Sequence, residues 1–222
     1  MLIAVWINPP CYNPVMKYTV KELLYSPLLN RLAGLILGGC WVVFAWTNMK
    51  AFIETGNYAF LLFCLSETLQ AVFFIIRKEP KTVSTDLFAW AAAFAGTFAV
   101  LSLRPGGAVI WSGGSTMILI GFTLQIIALV SLNTSFAIAP ANRGIKTELS
   151  YKLVRHPIYA TYIISTLGYI LINATPMNAF WFSFFIVLTL LRISEEEKHL
   201  AHDDGYRSYM KKVPYRLVPF VY

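Results

Sequence analysis

The sequence has few charged residues and few cysteines. Charged side chains make up 13% of its 222 residues and hydrophobic ones 57%, whereas a soluble domain usually carries about a quarter charged residues. So little charge would leave a globule with too little polar surface, which argues against a cytosolic enzyme, and so much apolar content excludes a disordered chain. The three cysteines (Cys11, Cys40 and Cys64) form no CxxC pair, so neither a disulfide framework nor a thiolate metal site is indicated. The class that remains is a membrane protein with several spanning helices.

Six apolar stretches indicate an all-α membrane protein with about six transmembrane helices. They cover Leu32–Met49, Tyr58–Ile76, Leu87–Leu103, Ala108–Leu132, Ile158–Ala174 and Met177–Leu191. The last stretch is shorter than the roughly 17 to 20 residues that a spanning helix needs, so it requires Arg192 to snorkel or the bilayer to thin. The turn Asn173-Ala174-Thr175-Pro176 joins the last two stretches, which predicts a short helical hairpin.

The positive charges are distributed unequally between the loops. Of the 18 Lys and Arg residues, all but Lys50 and Arg104 fall in segments that lie on the inner side when the N-terminus is inside. Because basic residues are enriched in cytoplasmic loops, this pattern predicts six crossings with both termini cytoplasmic. The net charge of +7 is then explained by loops that face anionic lipid, and we expect no nucleic-acid partner.

Polar residues outside the apolar stretches are concentrated in two segments, residues 133–157 and 192–222. The two segments contain all three histidines and most of the clustered charge. Because they flank the hairpin, they predict a polar C-terminal cap on the inner membrane face. The chain accordingly divides into a four-helix membrane region, residues 1–132, and a C-terminal region, residues 133–222.

One acidic residue lies inside an apolar stretch. Glu67 has Ser66, Thr68 and Gln70 close by in the second stretch. A carboxylate at the bilayer centre is costly unless it is paired or neutralised, so such a residue is a candidate functional group. The alternative is a protonated glutamic acid that only joins two helices by a hydrogen bond. The small-residue pairs Gly34/Gly38 and Ala92/Gly96 are typical of close helix packing.

Two charged clusters flank the hairpin. Arg155 and His156 precede Pro157, a residue favoured at the first position of a helix, whose N-terminus attracts anions. After the last stretch, Arg192 and Glu196 are i, i+4 neighbours on a helix, as are Glu195 and His199. The alternative interpretation is that both clusters only anchor helices at the membrane interface.

These motifs resemble a known family. Arg155-His156-Pro157-x-Tyr159, the hairpin, the glutamate pair and the tail Tyr206-x-x-Tyr209…Val213-Pro214…Pro219 resemble the isoprenylcysteine carboxyl methyltransferase and phospholipid methyltransferase superfamily. The resemblance covers residues 130–222. It implies an integral membrane methyltransferase whose cofactor is S-adenosylmethionine, held between the Arg-His-Pro loop, the inner ends of the hairpin and the cap.

The pocket for this cofactor can be assigned to residues in the two clusters. Glu195 or Glu196 can accept hydrogen bonds from its ribose or ammonium, and His156 can hold its carboxylate. Its adenine can lie among Tyr151, Leu153, Val154 and Tyr159. Arg155, Arg192 and Glu196 are the expected catalytic residues. We expect no metal, because the sequence contains no metal ligand set.

The sequence departs from the superfamily pattern at three places. Thr161 stands where Gly is common, Leu149-Ser150-Tyr151 lacks the usual Gly at its first position, and His202-Asp203 replaces a common Phe-Gly. The first two departures concern backbone that approaches the cofactor closely, so they affect the predicted shape of the pocket.

Several functions remain open at this point. The methyl acceptor is a membrane lipid or a lipid-attached group: a prenylated cysteine carboxylate, an aminophospholipid head group, or a small hydrophobic thiol or acid. A second class is an NADPH-dependent reductase, since sterol reductases resemble this C-terminal architecture and Arg207, Lys211, Lys212 and Arg216 could meet the phosphate. The third class is a non-enzymatic scaffold or transporter.

Overall fold

The structure is a computed structural model that describes residues 26–56 and 58–222. The described part contains seven α-helices and one two-stranded antiparallel ribbon. The helices are α1 (Pro27–Thr55), α2 (Tyr58–Ile76), α3 (Leu87–Phe98), α4 (Gly114–Leu132), α5 (Pro157–Ile172), α6 (Pro176–Leu200) and α7 (Asp204–Lys212). The strands are β1 (Thr82–Val83) and β2 (Ala141–Asn142), and short 3-10 turns cover Ala99–Ser102, Asn133–Ser135 and Leu149–Lys152. The all-helical fold class is therefore confirmed, while the predictions for Cys11 and the N-terminus lie outside the described residues.

The helix starts follow local capping rules. Ser26, Asp86 and Thr175 each accept a hydrogen bond from a backbone N–H in the first turn of α1, α3 and α6. These bonds satisfy donors that have no partner within the helix. Helices α1, α5 and α6 have Pro in the first turn, where the missing N–H costs nothing. The predicted stretch Tyr58–Ile76 coincides with α2, whereas the predicted bounds differ from those of α1 and from the start of α4 by five or six residues and from the end of α6 by nine.

Four helices are long and apolar enough to cross a membrane. They are Pro27–Glu54, Tyr58–Ile76, Gly114–Ser135 and Pro176–Leu200, and two shorter apolar helices cover Leu87–Ser102 and Pro157–Ile172. The prediction that the last helix is the short one is wrong, because α6 has 25 residues and continues through Arg192. Arg192 is buried within the protein, so its charge does not force the helix to end at a lipid interface. A helix of 16 residues is only about 24 Å long, which is less than the roughly 30 Å of a hydrocarbon core.

The six apolar helices run alternately between two ends of the molecule. At one end, which we call the polar end, the N–H of Lys78 after α2 donates to the carbonyl of Thr134 after α4, and Arg77 donates to Asn30 in α1. At the opposite end, Ala108 before α4 pairs with Ala174 between α5 and α6. Among the described residues, the only Lys and Arg side chains outside the polar end are Lys50 and Arg104. The number of crossings, the side of each terminus and the division at residue 132 stay predictions.

The helices form a ring around a central space. Helix α1 packs on α2, α2 on α4, α4 on α5, α5 on α6, and α6 on α3. Trp41 of α1 and Phe98 of α3 approach with ring centroids 6.2 Å apart, which closes the ring. Glycines permit the close contacts: a Cβ at Gly34 would lie 2.4 Å from a backbone oxygen of α2, and one at Gly96 would lie 2.8 Å from the Cδ of Arg192. The predicted role of these glycines in packing is thereby confirmed.

Candidate active site

The Arg-His-Pro loop leads into α5 at the polar end. It begins with the 3-10 turn Leu149–Lys152, in which Leu149 adopts a left-handed φ of 51°. This is the position where the superfamily commonly has Gly, and the backbone conformation explains that preference. Thr161, at the other departure, lies within helix α5 and donates its hydroxyl to the carbonyl of Ile158. Thr161 therefore replaces a glycine without strain in its backbone.

A buried carboxylate joins the loop to the end of α6 and to the C-terminal tail. Oε1 of Glu197 accepts from Nε of Arg155 at 2.7 Å and lies 3.0 Å from Nε2 of His156, and Oε2 accepts from Nε of Arg216 at 2.9 Å. Arg155 also donates from Nη1 to the carbonyls of Val213 and Pro214. Glu197 and Arg155 are both buried. The arrangement fixes three separate segments against one another.

A second group of side chains surrounds the ring of Tyr159. Its hydroxyl donates to Oε2 of Glu196 at 2.7 Å. The guanidinium of Arg192 lies 4.9 Å from the centroid of the Tyr159 ring. The ring of His156 stacks on the same tyrosine ring, with the two centroids 5.6 Å apart. Arg192 donates weakly to the carbonyl of Ile138 at 3.4 Å, and its buried Nε has no partner among the described residues. The group thus combines a carboxylate, a cation with a free donor and two aromatic faces.

These side chains line a cavity of about 690 Å³ that extends between the helices. This volume is within the roughly 300 to 1,000 Å³ typical of cofactor and small-molecule sites. At the polar end the cavity is lined by Arg143, Lys146, Tyr151, Arg155, His156, Tyr159, Arg192, Glu196, Tyr206 and Tyr209. Farther along, apolar side chains such as Trp41, Phe63 and Phe122 form most of its wall. One cavity therefore joins a charged, aromatic chamber to an apolar channel.

The structure brings most of the predicted site residues together in this chamber. The predicted residues that line the cavity are Tyr151, Arg155, His156, Tyr159, Arg192 and Glu196. The other three do not line it: Leu153 is 65% exposed, Val154 is buried elsewhere, and Glu195 binds Lys198. The predicted i, i+4 contacts of the glutamates are replaced, since Glu196 binds Tyr159 and His199 contacts Thr82.

Several residues at the polar end were not predicted from the sequence. Glu197 was overlooked because Glu195, Glu196 and Glu197 are consecutive, and successive positions on a helix point about 100° apart. Tyr206 lines the cavity with a buried hydroxyl that has no partner within the described residues, and the hydroxyl of Tyr209 donates to the carbonyl of Tyr151. Both tyrosines lie on α7, and their i, i+3 spacing in the tail was the available signal.

The polar end includes a third segment besides the two that were predicted. Strand β1, between α2 and α3, pairs with β2 in the segment that leads to the loop. Thr82 contacts Nε2 of His199 at 3.0 Å, and the amide of Asn142 donates to Asp203 at 2.8 Å. Residues 77–86 thus form part of the polar end, and Thr82 contacts the end of α6 there.

Burial alters the protonation of groups at the polar end. The pKa of Arg143 is lowered to about 10, first by burial and second by the neighbouring charge of Arg77. Burial raises the pKa values of Tyr151 and Tyr206 well above the usual range, and the charge of Glu196 adds to the effect. Both tyrosines are therefore neutral hydrogen-bond donors near neutral pH. Among the described residues, no group of three or more His, Cys, Asp or Glu side chains could hold a metal ion.

The chamber has the groups that S-adenosylmethionine requires. The ribose and the ammonium of this cofactor need a hydrogen-bond acceptor, which Glu196 provides. Its carboxylate needs a hydrogen-bond donor or a cation, which His156 or Arg192 provides. The rings of Tyr151, Tyr206 and Tyr209 offer faces for an adenine. The hydroxyl of Tyr206 and Nε of Arg192 are buried donors that have no partner within residues 26–56 and 58–222, as expected where a polar ligand supplies the missing acceptor.

Comparison with known families agrees with this geometry. Residues 114–202 match the model of the isoprenylcysteine carboxyl methyltransferase (ICMT) family, whereas no curated protein matches the chain. The match extends from the start of α4 to the end of α6 and includes the Arg-His-Pro loop and all three glutamates. It implies a membrane methyltransferase that uses S-adenosylmethionine. The resemblance predicted from the sequence is confirmed, because residues 114–202 of this integral membrane protein match the ICMT family.

Proposed function

We propose that the chain transfers a methyl group from S-adenosylmethionine to a lipidic or hydrophobic acceptor at the cytoplasmic membrane face. The family match supports the reaction class. The single observation that carries the proposal is the continuous cavity, whose charged chamber lies at the polar end and whose apolar channel continues between the helices. A water-soluble cofactor can enter such a cavity from the polar end, and a membrane-soluble acceptor can enter it from the lipid. The cofactor then need not pass through lipid, and the acceptor need not pass through water.

The cofactor would be held by residues of the loop, α6 and α7. Glu196 accepts from its hydroxyl or ammonium groups, and His156 with the first turn of α5 attracts its carboxylate. Tyr151 and Tyr206 enclose the adenine. Leu153, Val154 and Glu195 have no part in this arrangement, because they lie outside the cavity.

When bound, S-adenosylmethionine supplies a methyl group activated by a positively charged sulfur. The residues of the chain align the two reactants and exclude water, which is the main requirement of such a displacement. Arg192 is placed to orient an acceptor carboxylate, because its Nε is free and its guanidinium lies over Tyr159. Arg155 is a positioning residue, since its Nε and Nη1 are engaged by Glu197 and the tail carbonyls.

A carboxylate of the isoprenylcysteine type is the first choice of acceptor. A carboxylic acid is already ionised near neutral pH, so its methylation needs no general base. A phospholipid amine is the second choice and would require Glu196 or His156 to take a proton. The reductase alternative loses support, because Arg216 binds Glu197 and Arg207 lies beside Asp204, and neither lines the cavity.

Direct binding separates these functions. Tritiated S-adenosylmethionine and tritiated NADPH are each equilibrated with the purified full chain in lipid nanodiscs. We expect saturable binding of S-adenosylmethionine that is roughly ten- to a hundredfold weaker in Glu196→Ala and unchanged in Glu195→Ala, the adjacent glutamate outside the cavity. Binding of NADPH with no binding of S-adenosylmethionine would support the reductase class, and binding of neither would leave only a non-enzymatic role.

A further inference from the structure

A cluster of polar side chains interrupts the apolar channel of the cavity. Glu67 and Gln70 of α2, Gln125 of α4 and Tyr162 of α5 line the channel, and Ser66 lies behind them. Glu67 is 6% exposed and Gln125 is fully buried. Polar groups in such surroundings are stable only when their hydrogen-bonding capacity is used, so the partners of each atom identify what the cluster can bind.

Three donors of the cluster are engaged within it. The amide of Gln70 donates to Oε1 of Glu67 at 2.9 Å, and the amide of Gln125 donates to Oγ of Ser66 at 2.6 Å. The hydroxyl of Tyr162 donates to Oε1 of Gln70 at 3.0 Å. These bonds connect α2 to α4 and to α5, and they leave the two glutamine side chains fixed in orientation.

The capacity that remains is on one acceptor atom. The buried Oε1 of Gln125 has no partner among the described residues, and the carboxyl group of Glu67 lines the same channel. If the cluster served only to join helices, Oε1 of Gln125 would be expected to find a donor inside the protein. An unpartnered acceptor beside a buried carboxyl group instead matches a ligand that brings a hydrogen-bond donor.

The cluster is close to the chamber where the cofactor is proposed to bind. Tyr159, which binds Glu196, and Tyr162, which binds Gln70, are three residues apart on α5, so their Cα atoms differ by about 4.5 Å along the helix. An elongated ligand with one end beside Arg192 therefore needs only a short hydrocarbon segment to reach Glu67.

We infer that the channel binds an amphiphile that carries an amine or a hydroxyl at the depth of Glu67 and Gln125. The donor of this group would satisfy Oε1 of Gln125, and an ammonium would also pair with the carboxyl group of Glu67. An unbranched hydrocarbon in the same place would leave Oε1 of Gln125 buried without a partner. The inference goes beyond the proposed function, because it concerns a ligand of the channel and does not take that ligand to be the methyl acceptor.

Three ligands of equal chain length test the inference. Dodecanol, dodecylamine and dodecyl methyl ether are titrated separately against the full chain in detergent, and native mass spectrometry counts the bound molecules. Since the ether differs from the alcohol mainly by loss of the donor, we expect the alcohol and the amine to bind about tenfold more tightly, the factor that one lost buried hydrogen bond produces. Equal affinities of ether and alcohol would overturn the inference even if no variant could be purified.

Variants identify the atoms involved. Glu67→Gln should weaken the amine about tenfold and leave the alcohol unchanged, whereas Gln125→Leu should weaken both. Glu54→Gln is the matched control, because Glu54 is an exposed carboxylate near the far end of α1. Wild-type affinities in both Glu67→Gln and Gln125→Leu would refute the site. Binding of S-adenosylmethionine is measured on the same samples, so loss of cofactor binding with retained donor preference would contradict the proposed function alone.

Discussion

Oε1 of Glu197 and Nε of Arg155 lie 2.7 Å apart, and both side chains are buried at the polar end. Glu197 belongs to α6 and Arg155 to the loop before α5, and the same carboxylate also binds Arg216 in the tail. The pair thus explains how a loop, a helix end and a tail that are far apart in sequence are held against one another beside the chamber. It also supports the proposal that Arg155 is a positioning residue.

Removal of this carboxylate should destabilise the protein. Glu197→Ala leaves Arg155 buried without its ionic partner, and breaking one half of a buried pair typically costs about 3–5 kcal/mol. Thermal unfolding in detergent should show a large loss of stability for Glu197→Ala. The control is Glu195→Ala, whose partner Lys198 is exposed, and its stability should change by less than about 1 kcal/mol. Equal stability of the two variants would contradict the structural role of Glu197.

The residues of the chamber should determine cofactor affinity. Glu196→Ala and His156→Ala each remove one charge-assisted contact, worth about 1.5–3 kcal/mol, so affinity for S-adenosylmethionine should fall roughly ten- to a hundredfold. Equilibrium binding measures this fall on protein that is shown to be folded and monodisperse. Glu67→Gln should bind the cofactor as the wild type does, because Glu67 lies in the channel beyond the chamber. Wild-type affinity in both chamber variants would refute the site assignment.

Leu149 provides a test of backbone strain. A φ of 51° destabilises the folded state by about 1–2 kcal/mol when the residue is not glycine. Glycine avoids this strain, but it loses more conformational entropy on folding, which costs about 0.5–1 kcal/mol. Leu149→Gly should therefore stabilise the protein by about 0.5–1 kcal/mol in thermal unfolding. Leu153→Gly is the matched control, since Leu153 is also exposed but has a right-handed φ of −92°, and it should be destabilising. A loss of stability in both variants would show that Leu149 is not strained.

The predicted orientation can be tested from the two ends of the molecule. In a variant with Cys11, Cys40 and Cys64 changed to serine, single cysteines replace Arg104 at the far end and Lys152 at the polar end. A membrane-impermeant maleimide applied to intact cells should label Arg104→Cys only, and it should label Lys152→Cys only after the membrane is opened. The reverse pattern would place the polar end outside.

The helices were predictable from the sequence because their signal is local. The stretch Tyr58–Ile76 coincides with α2, and Leu87 begins α3 as expected. The length of α6 was not predictable from hydropathy, since Arg192 and the glutamates that follow it turn toward protein instead of lipid. A charged residue ends an apolar stretch in the sequence, but it does not end a helix when its side chain is buried with partners.

The site was predicted in part, for a similar reason. Arg155, His156 and Tyr159 share a short motif, so their proximity was visible in the sequence. Glu197 and Tyr206 depend on the phase of α6 and on the position of the tail, which are set by tertiary contacts. The pairing of β1 with β2 joins residues about sixty positions apart, and two-residue strands have no detectable sequence pattern.

Transfer of a labelled methyl group tests the central claim most directly. Membranes that contain the full chain are incubated with S-adenosylmethionine carrying a deuterated methyl group, and the extracted lipids and lipid-attached groups are read by mass spectrometry. We predict one class of hydrophobic product with the deuterated mass shift, formed by the wild type and by Glu195→Ala and absent with folded Glu196→Ala. If the wild type forms no labelled hydrophobic product, or if Glu196→Ala forms as much as the wild type, the proposed methyl transfer through this chamber is contradicted.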